Sequence, residues 1–260
     1  MSLEIERQSY DTHHNYIRCL CRLVHGTILN ATQTLNKAPI PLIDTKNNLV
    51  ALTKRSLRDE FDIVQIDNDY SYASTSWLPV KSYYLVFNTL LSIEYTYKIQ
   101  SNNFIMSHTG CIEEFSRKLR DGEIVFSQPI LNQVFDQSIL SYKTTTGANL
   151  SGRTPEDEMY KLAIRKIAKY KVDDFKRSGR LNLKRKAHKI QLHAYLETFK
   201  VSIFDFPYFM RIRANYRDFA FIEGISATET ANYFNTYYNF TQEFVRSLEG
   251  LRDANIVART

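Results

Sequence analysis

The sequence is poor in the residues that build turns. It has 8 glycines and 6 prolines among 260 residues. That is too few for a fold of many short strands and tight turns, and the balance points to helices. Cysteine is scarce as well: Cys19, Cys21 and Cys111 only. An odd count without framework spacing excludes a disulfide scaffold and implies reduced thiols in a cytoplasmic protein. Cys19 and Cys21 lie two apart, so on a helix they diverge. With His13, His14 and His25 they match no standard zinc spacing, so no metal and no cofactor is expected. No apolar run approaches the roughly 18 residues of a membrane span, and no membrane partner is expected. The polar, acid-bearing segment MSLEIERQSYDTHH is unlike a secretory signal. A Gly-rich phosphate loop, H-E-x-x-H, G-x-S-x-G and paired C-x-x-C are all missing. An enzyme built on this chain must assemble its site from scattered polar residues.

The chain is rich in aromatics of two kinds, with 17 tyrosines and 16 phenylalanines against a single tryptophan. Many tyrosines indicate half-buried helix faces whose hydroxyls reach water or a partner. A 43% hydrophobic content at this length supports the core of one large domain. Charge is uneven. The stretch Arg153 to Lys200 holds 14 basic and 6 acidic residues, while the whole chain has 34 and 28. The net positive charge therefore belongs to this one stretch, a local field suited to a polyanion.

Hydrophobic periodicity predicts helices throughout. One runs over 10–35 and ends at Pro39 and Pro41. Another opens near Leu49, Val50, Ala51 and Leu52. The polar run Asp67 to Ser76 reads as a loop. Trp77-Leu78-Pro79 then starts a central helix, with Pro79 in its first turn and Val80, Tyr83, Tyr84, Phe87, Leu90 and Leu91 on a broad apolar face. Ser107 reads as the N-cap of a helix that buries Cys111, Ile112, Phe115 and Leu119 and stops at Asp121-Gly122. A short helix follows from Ile130, then a loop from Lys143 to Gly152. Thr154-Pro155-Glu156-Asp157-Glu158 starts a helix that Ser178-Gly179 breaks. Leu181 to Phe199 reads as another helix; Lys184, Arg185, Lys186 and Lys189 crowd its start, against its dipole and thus not for helix stability. Ser226-Ala-Thr-Glu229 is a capping box for a last amphipathic helix, with Gly250 as its stop. No segment demands a sheet, and the fold class is all-α.

The densest polar cluster is Met210-Arg211-Ile212-Arg213-Ala214-Asn215-Tyr216-Arg217-Asp218-Phe219. Three arginines, an amide, a phenol and a carboxylate can hold a phosphate or position a scissile bond. They can equally form an Arg–Asp lattice that ties helices together. Asn215 and Tyr216 can serve the local turn as well as a site.

Taken in order, Ser82-Tyr83-Tyr84-Leu85-Val86-Phe87-Asn88, then Ser107-His108-Thr109-Gly110-Cys111-Ile112, then Arg213-Ala214-Asn215-Tyr216-Arg217-Asp218, then an amphipathic C-terminal helix, resemble the HEPN superfamily. The resemblance covers about 77–135 and 207–252 and implies a HEPN-like helical bundle. Residues 1–75 form an N-terminal helical extension to it, and about 143–205 a basic helical insertion. It further implies nucleic-acid association, dimers or larger oligomers, metal-independent RNA cleavage in many members, and a prokaryotic defence or toxin–antitoxin setting with a partner protein encoded nearby. In that chemistry an arginine stabilises phosphate charge and a histidine moves a proton. This chain departs from the R-x4-6-H pattern: from Arg211 the corresponding positions are Tyr216, Arg217 and Asp218, and from Arg213 they are Asp218, Phe219 and Ala220. His108, from another helix, is the candidate replacement.

Two functional expectations follow. In one, the protein is a metal-independent endoribonuclease whose catalytic candidates are Arg211, Arg213, Asn215, Tyr216 and His108. In the other, it is a non-catalytic nucleic-acid-binding or scaffold subunit. Both share a nucleic-acid surface of Lys161, Arg165, Lys169, Lys184, Arg185, Lys186, Lys189 and Arg217, with RNA favoured over DNA. Tyr160, Tyr170 and Phe175, interleaved with these cations, offer stacking. A third expectation makes the tyrosine-rich surface an oligomer interface.

Overall fold

A computed structural model describes residues 3–32, 40–97, 107–144, 154–215 and 225–257. Among them are eight α-helices: α1 (Leu3–Val24), α2 (Ile40–Ile66), α3 (Asn68–Tyr97), α4 (His108–Arg120), α5 (Glu156–Ser178), α6 (Lys186–Glu197), α7 (Asp205–Asn215) and α8 (Ala227–Val257). Two three-residue strands, β1 (Leu29–Ala31) and β2 (Ile124–Phe126), pair antiparallel with Leu29 opposite Phe126. The fold is all-α, as the shortage of glycine and proline predicts, and no helix among the described residues is long and apolar enough to cross a membrane.

Helix α3 is the axis of the molecule, packed against α2, α7 and α8. Helix α8 brings Phe234, Tyr237, Phe240 and Phe244 into the core, all essentially without exposure. Each such ring removed from water contributes about 1.5–3 kcal/mol of transfer free energy. Between α3 and α4 lies an ion pair sealed from solvent: Lys118 Nζ donates to Glu94 Oε1, with side chains 3% and 0% exposed. Helix α7 is fixed at its start by Asp205, whose Oδ2 accepts from the Ser202 N–H at 2.9 Å. Its Oδ1 accepts from Lys171 of α5, also at 2.9 Å.

Several boundaries differ from the sequence reading. Helix α1 ends at Val24, not near residue 35, because Gly26 takes φ +65° and turns the chain into β1. Asp67 to Ser76, read as a loop, is helical almost from its start. The Asp67 carboxylate accepts the Tyr70 N–H at 3.2 Å as a cap. Ser71, Ser74 and Thr75 are buried, and the small side chain of Thr75 lets α3 approach the Thr230 carbonyl of α8, at 3.4 Å. Polar by composition, this turn is helical through packing. Pro79 therefore lies inside α3 rather than at its start. Gly250 does not stop α8, which runs on to Val257 and buries Leu251 and Asn255. The segment expected to be helical from Ile130 forms two short 3-10 turns instead. Helix α6 begins at Lys186, later than expected, after a turn in which the Asn182 N–H bonds to His188 Nδ1 at 2.7 Å. By contrast, Ser107 caps α4 through the Gly110 N–H at 3.0 Å, and Ser226 and Glu229 form the capping box of α8.

Candidate functional site

The geometry separates the arginines of α7. Two residues apart on a helix, Arg211 and Arg213 leave the axis about 200° apart. Arg213 turns toward α5, its guanidinium carbon 4.3 Å from the Tyr170 ring centroid. Tyr170 in turn shares a hydrogen bond with buried His13 at 3.1 Å. Arg211 turns toward α3. Its guanidinium carbon lies 4.9 Å from the ring of Tyr83, 5.3 Å from Tyr84 and 5.9 Å from Tyr208. Three phenol faces thus surround one cation, an arrangement that planar guanidinium suits better than ammonium.

His108, the first residue of α4, joins the same cluster. Its ring packs on Phe87 at 4.3 Å and on Tyr83 at 5.4 Å between centroids, and its Nδ1 is hydrogen-bonded to the Tyr83 hydroxyl. Burial, followed by the nearby Arg211 charge, lowers its pKa below the ordinary 6.5. Burial pushes the Tyr83 hydroxyl far above its usual range, opposed by Arg211. At neutral pH the phenol therefore keeps its proton and the imidazole is neutral, and the two share one hydrogen bond through Nδ1. Arg211 and His108 thus meet at the Tyr83 ring, a cation beside an imidazole.

The structure thus unites Arg211 and His108 and directs Arg213 elsewhere. Asn215 ends α7, while Tyr216 and Arg217 lie outside the described residues. Tyr83, Tyr84 and Tyr208 were missing from the sequence-derived site. Their signal was present in the paired tyrosines beside Ser82 and in the i, i+3 spacing of Tyr208 and Arg211, which puts both on one helix face.

The basic candidates fall into two groups. Lys161 lies 3.6 Å from Asp157 and near the Tyr142 ring, and Arg165 donates to the Leu140 carbonyl at 3.3 Å. Their helix, α5, buries Tyr160, Leu162, Ile164 and Ile167 in the core. Lys169 is exposed. Beyond it, α5 and α6, joined by a short turn as a helical hairpin, meet through the ring stack of Phe175 on Tyr195, centroids 3.8 Å apart and 5° from parallel. Helix α6 has no buried residue. Lys176 and Arg177 pair with Asp173 and Asp174. Arg180, Lys184, Arg185, Lys186 and Lys189 are exposed and have no carboxylate partner among the described residues.

The turn of this hairpin holds a backbone outlier. Arg180 has φ +47°, a left-handed conformation at the position where helix C-termini favour glycine. The Leu181 N–H bonds to the Lys176 carbonyl at 2.9 Å and the Arg180 N–H to the Arg177 carbonyl at 3.1 Å, closing a Schellman turn. The preceding residue, Gly179, sits at an ordinary φ of −77°. A bulky cation thus occupies a position that glycine adopts about 1 kcal/mol more readily.

A cavity of about 330 Å³ lies between α4, α5 and the end of α6, with Arg117, Arg120, Lys171, Lys200 and Glu113 on its walls. Its cations are largely neutralised. Arg117 is held by Glu114, Asp121 and Glu123, and Lys171 by Asp205. It is separate from the Arg211–His108 cluster.

No protein-family model matches the chain, and comparison with curated proteins and with solved structures likewise finds no match.

Proposed function

We propose that this is a nucleic-acid-binding protein of HEPN-like type, that RNA is its ligand, and that the α5–α6 hairpin supplies the main electrostatic contact. The observation that carries the reading is the tip of that hairpin. Seven cations and no carboxylate stand between Lys176 and Leu196, and five of them are exposed without an acidic partner among the described residues. Like charges crowded at a helix start and a strained arginine in the turn both oppose stability. Their use is the neutralisation of phosphates with release of counterions. Nothing in the hairpin resembles a base-reading code, so contact is by backbone charge and shape. The family resemblance supports RNA over DNA, and it supports a cytoplasmic protein working as a dimer or larger oligomer in a prokaryotic defence or toxin–antitoxin system, beside a partner protein.

The test is binding of a labelled single-stranded RNA to the whole protein and to a Lys184→Ala, Arg185→Ala, Lys186→Ala variant. Loss of affinity with unchanged helicity supports the reading; equal affinity overturns it.

A second reading, metal-independent RNA cleavage, is favoured by the meeting of His108 with Arg211. There the arginine stabilises the charged phosphate and His108 handles the proton. Incubation of RNA in EDTA decides between cleavage and binding alone: wild type cleaves, and His108→Gln is slower by about 10²–10⁴-fold. Tight binding without cleavage leaves the non-catalytic role.

A further inference from the structure

Much of helix α3 is buried, yet one face of it stays open. Between Trp77 and Asn88 the residues that are not buried are Trp77, Val80, Lys81, Tyr84, Phe87 and Asn88, steps of three and four along a single helical stripe. Trp77 is 59% exposed and Tyr84 39%. Large rings left in water forgo the burial that normally makes them useful. No carboxylate occurs in α3 between Asp69 and Glu94. One end of the stripe has the Arg211 guanidinium over the Tyr84 ring. Lys81, midway, is held by Glu60 of α2, so Arg211 supplies the positive charge.

We propose that this stripe is a stacking platform for unpaired RNA bases, leading a single strand to Arg211 and His108. The proposal rests on the RNA-binding reading. Trp77 and Tyr84 are two helical turns apart, about 10.5 Å along the axis. Successive bases of a stacked strand rise about 3.4 Å, so the interval accommodates about three steps. Aromatic faces accept any base, in keeping with a hairpin that reads charge and not sequence. A cation at one end and no carboxylate within this part of α3 suit a polyanionic strand. A second copy of the chain is the competing occupant.

Trp77 is the only tryptophan, so tryptophan emission, excited selectively over that of the tyrosines, reports on this stripe alone. A labelled 12-nucleotide oligouridylate and a matched RNA duplex are titrated, with anisotropy followed on the RNA and emission on the protein. The single strand is expected to quench the emission at the concentrations that raise the anisotropy. Trp77→Ala is expected to weaken single-strand binding about 5- to 150-fold, the range for one lost stacked base. Trp77→Phe retains most of the affinity, and duplex binding changes little. Because Trp77 is exposed, neither variant threatens the fold.

If anisotropy rises while emission stays constant and Trp77→Ala binds as well as wild type, the platform is wrong and RNA binding by the hairpin stands. If wild type gives no anisotropy change, the RNA reading itself fails. If emission follows protein concentration and not RNA, and Trp77→Ala converts an oligomer to monomer, a second copy covers the stripe and the proposal is overturned.

Discussion

Two lysines show how differently this molecule treats charge. Lys118 lies inside the bundle, 3% exposed, and is bonded to Glu94 with Glu114 at 3.6 Å. Lys184 stands at the hairpin tip, exposed, with neighbours of its own sign. In the bundle each lysine and arginine of α4 is matched to an acid: Lys118 to Glu94, Arg120 to Asp121, and Arg117 to three carboxylates. In the hairpin the cations beyond Arg177 meet none among the described residues. Charge in the first region serves the fold. In the second it is left uncompensated and available to a ligand.

The largest expected effect comes from breaking the compensated region. Lys118→Met leaves the Glu94 carboxylate buried without its cation and is expected to cost about 3–5 kcal/mol, read from urea denaturation. Lys184→Met, the same chemical change at the tip, is expected to stay within about 0.5 kcal/mol. Equal losses at the two sites would erase the distinction.

A smaller effect sharpens it from the other side. Arg180→Gly removes the left-handed strain and a cation together. It is expected to raise stability by about 1 kcal/mol while lowering RNA affinity. A variant that gains stability with no loss of affinity shows that Arg180 is incidental.

The smallest concerns His108. Its folded-state pKa lies below the ordinary value near 6.5, chiefly through burial and then through Arg211. Below about pH 6.5 the unfolded chain takes up the proton first. His108 therefore contributes stability that is complete above that pH and is lost as the pH falls toward the depressed value. His14 is shifted in the same direction, also by burial first, so the loss is shared. His108→Gln is expected to reduce, not abolish, the fall in melting temperature between pH 7 and pH 5. An unchanged fall places the acid sensitivity elsewhere.

The two regions were also unequally legible in the sequence. The hairpin's character could be read directly, because charge density survives any packing. Its break at Ser178-Gly179 was visible too, though the strain falls on Arg180. Local signals held where a cap decides the matter, as at Ser107 and at Ser226 with Glu229. They failed where packing decides. Ser71, Ser74 and Thr75 look like a loop and are a helix, because small hydroxyl side chains suit a close helix–helix approach. Gly250 looks like a stop and is not one, because Leu251 and Asn255 still have core to fill. Arg211 was identifiable as polar and unusual, but its tyrosine surround and its meeting with His108 depend on α3, α4 and α7 converging. No local spacing encodes that convergence. Arg213, two residues on, looked equivalent and faces Tyr170 instead.

The most direct test of the uncompensated hairpin is the salt dependence of RNA binding by the whole protein, followed from about 50 to 200 mM monovalent salt. For single strands each neutralised phosphate adds about 0.7 to the slope of log affinity against log salt. Replacing Lys184, Arg185 and Lys186 by alanine is expected to reduce that slope by about 2, with the melting temperature unchanged. An identical slope and affinity for variant and wild type would contradict the account.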